Sequence, residues 1–279
     1  MIDAHQHFWQ ISRGDYGWLT PALGPIYRDF GPGDLAPILT HHGIAKTILV
    51  QAAPSVAETE YLLQIAAATP FVAGVVGWVD FTAADVTATI DRLAENELLV
   101  GLRPMVQDIA DDDWLLRADL APALLAMIDH DLVFDALVLP RHLVRLARLV
   151  ERFPSLRVVI DHGAKPPIRS GIMEPWRSDL GILAANPSLM CKLSGLVTEA
   201  RANWADADIK PYAHALLELF GPQRMVWGSD WPVVNLAGGY DRWRALSLDV
   251  ISGLDAASRV AILGGNATDL YLKRRGRSL

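Results

Sequence analysis

Short apolar runs rich in β-branched residues recur eight times along this chain, and amphipathic stretches separate them. The runs cover 2–7, 47–51, 72–79, 98–106, 132–139, 158–162, 189–193 and 225–227. Each is continuous rather than alternating, the pattern of parallel strands buried on both faces. Helical periodicity fills 58–68, 83–97, 142–153, 209–220 and 242–251, and a final helix is expected from about 256 to 273. Eight such repeats within 279 residues predict an α/β protein, a (β/α)8 TIM barrel. The competing open doubly wound sheet usually carries a Gly-rich turn after its first strand. Here the first run ends in His5-Gln6-His7-Phe8-Trp9 instead. No linker or shift in composition divides the chain, so it reads as a single domain, 1–279. The stretch 9–33 is long for a βα loop, and its place after the first strand predicts that it folds over the barrel mouth.

Composition removes several function classes. With 51% hydrophobic and 20% charged residues the chain is not disordered. The single cysteine, Cys191, rules out a disulfide framework and a thiolate metal cluster, and its place between Met190 and Lys192 in an apolar run predicts a packing role. A net charge of −7 argues against nucleic acid as a partner, and the basic run of Lys273, Arg274, Arg275 and Arg277 reads as a solvated tail. Met1-Ile2-Asp3-Ala4-His5 has neither the basic nor the apolar part of a secretory signal, and no long uncharged apolar window suggests a membrane partner. A cytoplasmic location is therefore expected, and a homo-oligomer is compatible with the sequence.

In such a barrel the chemistry belongs to the C-terminal ends of the strands. Those ends offer His5 and His7, Gln51, Trp78 and Asp80, Arg103 and Gln107, Arg141 and His142. The later strands add Asp161, His162 and Lys165, then Lys192 and Ser194, then Ser229, Asp230 and Trp231. His5 and His7 are two apart on a strand, so their rings share a side and Gln6 points away. An isolated pair of this kind is as often a satisfied core feature as a functional one; His162 and Asp230 at neighbouring strand ends favour function. Asp230 follows a buried strand in Val226-Trp227-Gly228-Ser229-Asp230-Trp231-Pro232, a costly place for a carboxylate unless it is paired or reactive. A helix N-cap is the plain alternative, but Pro232 disfavours helical geometry at Trp231. Three histidines and an aspartate can hold one divalent ion such as zinc, or can act without metal as donors around a carbonyl beside a carboxylate base. His214, inside the helical run 211–220, reads as a surface or packing residue. No G-x-S-x-G elbow and no phosphate-binding Walker loop occur.

These motifs together are similar to a known group. The opening His5-Gln6-His7-Phe8-Trp9, Gly101-Leu102-Arg103 with Gln107, Asp161-His162 with Lys165-Pro166, and the Trp227–Pro232 segment resemble the amidohydrolase superfamily. More narrowly they resemble its amidohydrolase-2 branch of metal-independent lactonases, and Asp15-Tyr16-Gly17-Trp18-Leu19 looks most like the sugar-lactone hydrolases of fuconolactone type. The resemblance implies a hydrolase of carbohydrate metabolism that opens a small sugar (aldono) lactone. It assigns the general base to Asp230, carbonyl polarisation to His5, His7 and His162, and a substrate contact to Arg103. The same three histidines and Asp230 would be the ligands if a divalent metal such as zinc is bound; no cofactor is the other expectation. Pro104 departs from the family, whose members often carry histidine there. Lys165 and Gln51 are expected to donate to sugar hydroxyls, and Trp9, Trp18, Trp204 and Trp231 to offer flat apolar faces. Trp78, Trp176, Trp227 and Trp243 read as packing. The alternative is a zinc-dependent decarboxylase or hydrolase of the same branch, acting on a carboxylated aromatic-derived lactone or acid. A non-catalytic sugar-binding barrel is disfavoured by the complete His5, His7, His162 and Asp230 set.

Overall fold

The computed structural model describes residues 1–273, so Arg274, Arg275 and Arg277 of the basic run lie outside the described residues. Eight parallel strands follow one another in chain order around a single sheet. They are β1 (Ile2–Gln6), β2 (Lys46–Val50), β3 (Val72–Gly77), β4 (Leu99–Leu102), β5 (Val133–Ala136), β6 (Arg157–Ile160), β7 (Met190–Leu193) and β8 (Met225–Trp227). The helices between and after them are α1 (Pro32–His42), α2 (Val56–Ala67), α3 (Val86–Ala94), α4 (Ala121–Asp129), α5 (Leu143–Arg152), α6 (Trp176–Ala184), α7 (Asp206–Phe220), α8 (Gly239–Val250) and α9 (Ala256–Val260). Just beyond β8 the chain returns to β1: the Asp230 N–H donates to the His5 carbonyl at 2.8 Å and the His7 N–H to the Trp231 carbonyl at 2.7 Å. This is the expected (β/α)8 barrel. No helix among the described residues is long and apolar enough to cross a membrane.

The continuous apolar runs have the predicted cause. In β2, Ile48 and Val50 join Ala4, Val76, Val100, Val133, Val159 and Val226 in one cluster, the barrel interior. Leu49, between them, belongs to the larger core against the helices. The helices follow the 3.6-residue rule. In α5, Leu143, Leu146, Leu149 and Val150 are buried while Val144, Arg148, Glu151 and Arg152 are exposed. Each such aliphatic side chain contributes roughly 1.5–3 kcal/mol when fully buried. His214, on the exposed face of α7, carries no site role. Cys191 is buried, and burial pushes its thiol pKa up, as an inert packing residue requires.

Two expectations need correction. The ladder ends sooner than the apolar runs, at Gly77 in β3, Leu102 in β4 and Ala136 in β5. Val79, Val106 and Val138 beyond it are buried under the mouth loops, so their hydrophobicity reports burial rather than strand pairing. The final helix also does not run unbroken to Lys273. After α9 the chain continues in wide π-helical turns at Ala261–Gly265 and Thr268–Leu272, broken at Gly264. A side chain on Gly264 would have its Cβ 3.0 Å from the Ile2 backbone nitrogen, so the break lets this segment pass under β1. It then inserts Ala267, Leu270 and Tyr271 into the barrel interior.

Candidate active site

The strand ends bring His5, His7, His162, Asp230 and Arg103 together. Strict alternation from Ala4, which faces inward, would send His5 outward. The register of β1 against β2 instead shifts between Asp3 and Gln6, so His5 also faces the interior and Gln6 turns out to donate to Thr47 Oγ1 at 3.2 Å. Asp3 stabilises this bulge by accepting from the His5 N–H at 3.3 Å and the Ser229 N–H at 2.8 Å. At the far ends of β6 and β8, His162 and Asp230 take left-handed backbone conformations, with φ of 53° and 59°. Each costs roughly 1–2 kcal/mol relative to ordinary backbone, strain of the kind that collects at functional sites.

Asp230 Oδ1 is the centre of the cluster. It lies 3.3 Å from His7 Nε2, 3.7 Å from His5 Nε2 and 3.9 Å from His162 Nε2. Burial alone would raise the Asp230 pKa, but His162, the His7 hydrogen bond and His5 hold it well below the usual carboxylate range. The carboxylate is therefore ionised at neutral pH. Burial, opposed in part by Asp230, brings His162 down to about 4, and burial with the nearby Lys192 cation brings His5 down well below its ordinary value. The rings of His162 and His7 are braced from behind. His162 Nδ1 meets Ser194 Oγ at 2.8 Å, and the His7 Nδ1–H donates to the Val50 carbonyl at 2.8 Å. Gly195 permits the first contact, because a Cβ there would sit 2.4 Å from His162 Nδ1 at a backbone φ of +62°.

Above the cluster opens a cavity of about 230 Å³. His7, His162, Asp230 and Arg103 form its floor, and Lys165, Gln107, Asp108 and Thr198 supply polar rim groups. Trp18, Met105, Leu137 and Val233 make its apolar wall. The long loop after β1 does fold over the mouth, where Trp18 Nε1 donates to the Ala52 carbonyl at 2.7 Å. Lys165 stands at the rim 3.5 Å from Glu199 Oε1.

His5, Gln51, Trp9, Trp204 and Trp231 do not line this cavity; His5 is fully buried behind it, beside Asp230 and Arg103. Gln51 is buried behind Arg103, donating its Nε2–H to the Arg103 carbonyl at 2.9 Å, while the Arg103 guanidinium donates back to the Gln51 carbonyl. Trp9 is committed to packing, edge-on to Trp18 and Phe30, with its N–H on the Arg28 carbonyl at 2.7 Å. Trp231 packs edge-on to Phe30 and Phe8, and Trp204 lies under the Arg242 guanidinium. Spacing places a residue near a strand end; it cannot say whether the side chain faces the cavity or the helices.

Sequence reasoning missed a buried charge cluster beneath His5. Lys192 on β7 lies 2.9 Å from Asp161 Oδ1 and also pairs with Asp135 on β5. Arg103 reaches the other Asp161 oxygen at 3.3 Å, and the Tyr271 hydroxyl donates to Asp135 at 2.8 Å. The available signal was a charged residue inside an apolar run, in Val133–Ala136 and again in Met190–Leu193.

Two groups, His5–His7–Asp230 and His5–Asp161–His162, have ligand atoms within 4.8 Å of one another. In a zinc tetrahedron with bonds near 2.0–2.1 Å, ligand atoms sit roughly 3.3 Å apart, so the spacing around Asp230 suits an ion. The hydrogen count does not suit it at His5, whose Nδ1 lies 3.1 Å from the Lys192 ammonium. His5 Nε2, the atom a metal would need, already faces the Arg103 guanidinium, a pure donor, at 3.4 Å.

Glu58 of α2 holds the mouth loop after β2. Its buried carboxylate accepts from the Ala52 and Ala53 N–H groups at 3.1 and 2.6 Å. Burial nevertheless dominates and raises its pKa to about 7. A raised carboxyl pKa means stability fully present below about 4.5 and lost as pH climbs through about 7. Over that window the wild type should lose about 3 kcal/mol relative to Glu58→Gln. Unfolding titrations of both proteins across this pH range check it, and parallel curves would refute the assignment.

The amidohydrolase family model matches residues 2–273. The chain is 50% identical over 276 residues to an L-fucono-1,5-lactonase of Burkholderia ambifaria, covering 97% of this chain and 94% of that protein. It is 37% identical to an L-fucono-1,5-lactonase of Burkholderia multivorans, covering 97% and 95%. Among solved structures, an amidohydrolase from Burkholderia multivorans with bound zinc superposes with a TM-score of 0.91 at 37% identity, covering 97% of this chain and 98% of that one.

Proposed function

This chain belongs to the amidohydrolase family, and from that premise we propose that it hydrolyses a sugar-derived lactone of the L-fucono-1,5-lactone class. The observation that carries this reading is the 50% identity to a fuconolactonase along nearly the whole of both chains. The cavity supports it. A 6-deoxy sugar lactone presents one methyl group and a C–H face, which suit Trp18, Met105, Leu137 and Val233. Its hydroxyls suit Lys165, Gln107, Asp108 and Thr198.

In the proposed reaction, Asp230 takes a proton from water, and the resulting hydroxide adds to the lactone carbonyl carbon. Negative charge grows on the carbonyl oxygen, where neutral His162 and the Arg103 guanidinium, backed by His5, stabilise it; a well-placed donor is typically worth about 3–4 kcal/mol. The Nδ1–H of His7 on the Val50 carbonyl orients the ring and keeps its Nε2 beside Asp230 Oδ1. The tetrahedral adduct then collapses, the ring C–O bond breaks, and protonated Asp230 returns its proton to the departing alkoxide. The product is the open hydroxy acid. A metal held at these residues would supply Lewis-acid polarisation of the same carbonyl.

Acid release from a panel of aldonolactones, L-fucono-1,5-lactone included, tests the proposal in a weakly buffered indicator assay. Turnover of at least one sugar lactone is expected, with the rate preserved under strong chelator. Absence of acid release across the panel sinks the proposal, and loss of rate on chelation, restored by zinc, sinks its metal-free form.

A further inference from the structure

Lactone hydrolysis changes the charge of the bound molecule. A neutral lactone takes up water and yields a hydroxy acid, which ionises to a carboxylate and one released proton. A cavity that presented an unpaired cation would hold that carboxylate and slow its departure. Arg103 and Lys165 are the lysine and arginine side chains of this cavity, and each already has a carboxylate partner. The Arg103 guanidinium lies 3.3 Å from Asp161 Oδ2, and the Lys165 ammonium 3.5 Å from Glu199 Oε1. Asp108 and Asp230 add two carboxylates to the same lining. The two pairs differ in depth. Arg103 and Asp161 are buried, whereas Lys165 and Glu199 are 22% and 27% exposed at the rim, and Glu199 itself does not line the cavity. The backbone beneath Lys165 is fixed. Residues 162–165 make a left-handed turn with φ of 53°, 57°, 59° and 52°. The Lys165 N–H closes it on the His162 carbonyl at 2.9 Å, and the Trp176 Nε1–H holds the Gly163 carbonyl at 2.7 Å. Glu199 approaches from the turn after β7, Val197–Glu199, which also brings Thr198 to the cavity.

We propose that Glu199 is a positioning residue for product release: by pairing with Lys165 it leaves that ammonium able to serve a neutral lactone but unable to retain the open acid. An ammonium group has three N–H donors. One directed at Glu199 leaves two for sugar hydroxyls, while the charge of the pair is balanced. Without Glu199 the rim gains one net positive charge, and the carboxylate formed in the cavity takes the place of Glu199 as the partner of Lys165. The buried Asp161 cannot fill that role, because it is already engaged by Arg103 and Lys192. The inference rests on the lactone reading, which supplies the anionic product.

Calorimetric binding of L-fuconate, the open acid, to wild type and Glu199→Gln tests this at neutral pH. The variant should bind the acid at least tenfold more tightly, and the gain should shrink as salt is raised, because the pair is partly exposed. KM for the neutral lactone should change less than threefold, which a general disturbance of the cavity would not allow. Equal or weaker acid binding by Glu199→Gln overturns the proposal. So does a gain that persists in the double variant Glu199→Gln with Lys165→Met, since the effect must run through Lys165. The wild type supplies a measurement free of any substitution. L-fuconate should inhibit it with a constant above KM for the lactone, and inhibition at or below KM overturns the proposal. A wild type that opens no lactone defeats the proposed function; one that opens lactone while Glu199→Gln binds the acid no more tightly defeats this inference alone.

Discussion

Asp230→Asn should lower kcat on the preferred sugar lactone by a factor of about 10³, within the range expected for loss of a general base. Asparagine keeps the shape of the side chain, but it cannot take a proton from water. The backbone should tolerate the change. Asp230 sits at φ 59°, a region that asparagine visits readily. The bonds from the Asp230 N–H to His5 and from the Val234 N–H to the Asp230 carbonyl do not involve the side chain. The unfolding midpoint should therefore move little while turnover collapses, and a variant that keeps the full rate removes Asp230 as the base.

Gly228→Ala should be the most damaging change that touches no polar group. Gly228 follows β8 where the barrel closes on β1, and a Cβ there would stand 2.6 Å from His5 Cβ and 3.0 Å from the His5 backbone nitrogen. Neither atom is the end of a flexible side chain, so the two strands must separate or His5 must shift. Overpacking of this kind costs about 1–3 kcal/mol. A displacement of His5 by even an ångström should also lower kcat by roughly 10²-fold. Gly253→Ala is the control, because a Cβ there meets nothing within 4 Å. Equal unfolding midpoints and equal rates for the two variants would refute the steric account.

The same closure shows what was legible beforehand. Eight apolar runs sufficed for the barrel, because burial on both faces leaves a local and repetitive mark in the chain. His5, His7, His162 and Asp230 were legible because each ends one of those runs and the fold sends all such ends to one mouth. Gln51, Trp9 and Trp231 satisfied the same rule and went elsewhere, Gln51 behind Arg103 and the two indoles into aromatic packing. The rule gives height along the barrel but not the direction of a side chain. The bulge in β1 was hidden for a related reason: Asp3, which stabilises it, bonds Ser229 at the other end of the chain.

What the sequence determined by itself is therefore the periodicity, the fold that follows from it, and the kinds of chemical group carried to the mouth. These depend on neighbours a few residues apart. Which partners each of those groups meets was decided only by the tertiary structure. Lys192 meets His5, 187 residues away, and pairs with Asp135, itself bonded to Tyr271 from a segment 136 residues further on. A buried hydrogen bond forms only between groups within about 3 Å of each other, and only the closed barrel brings these residues that near.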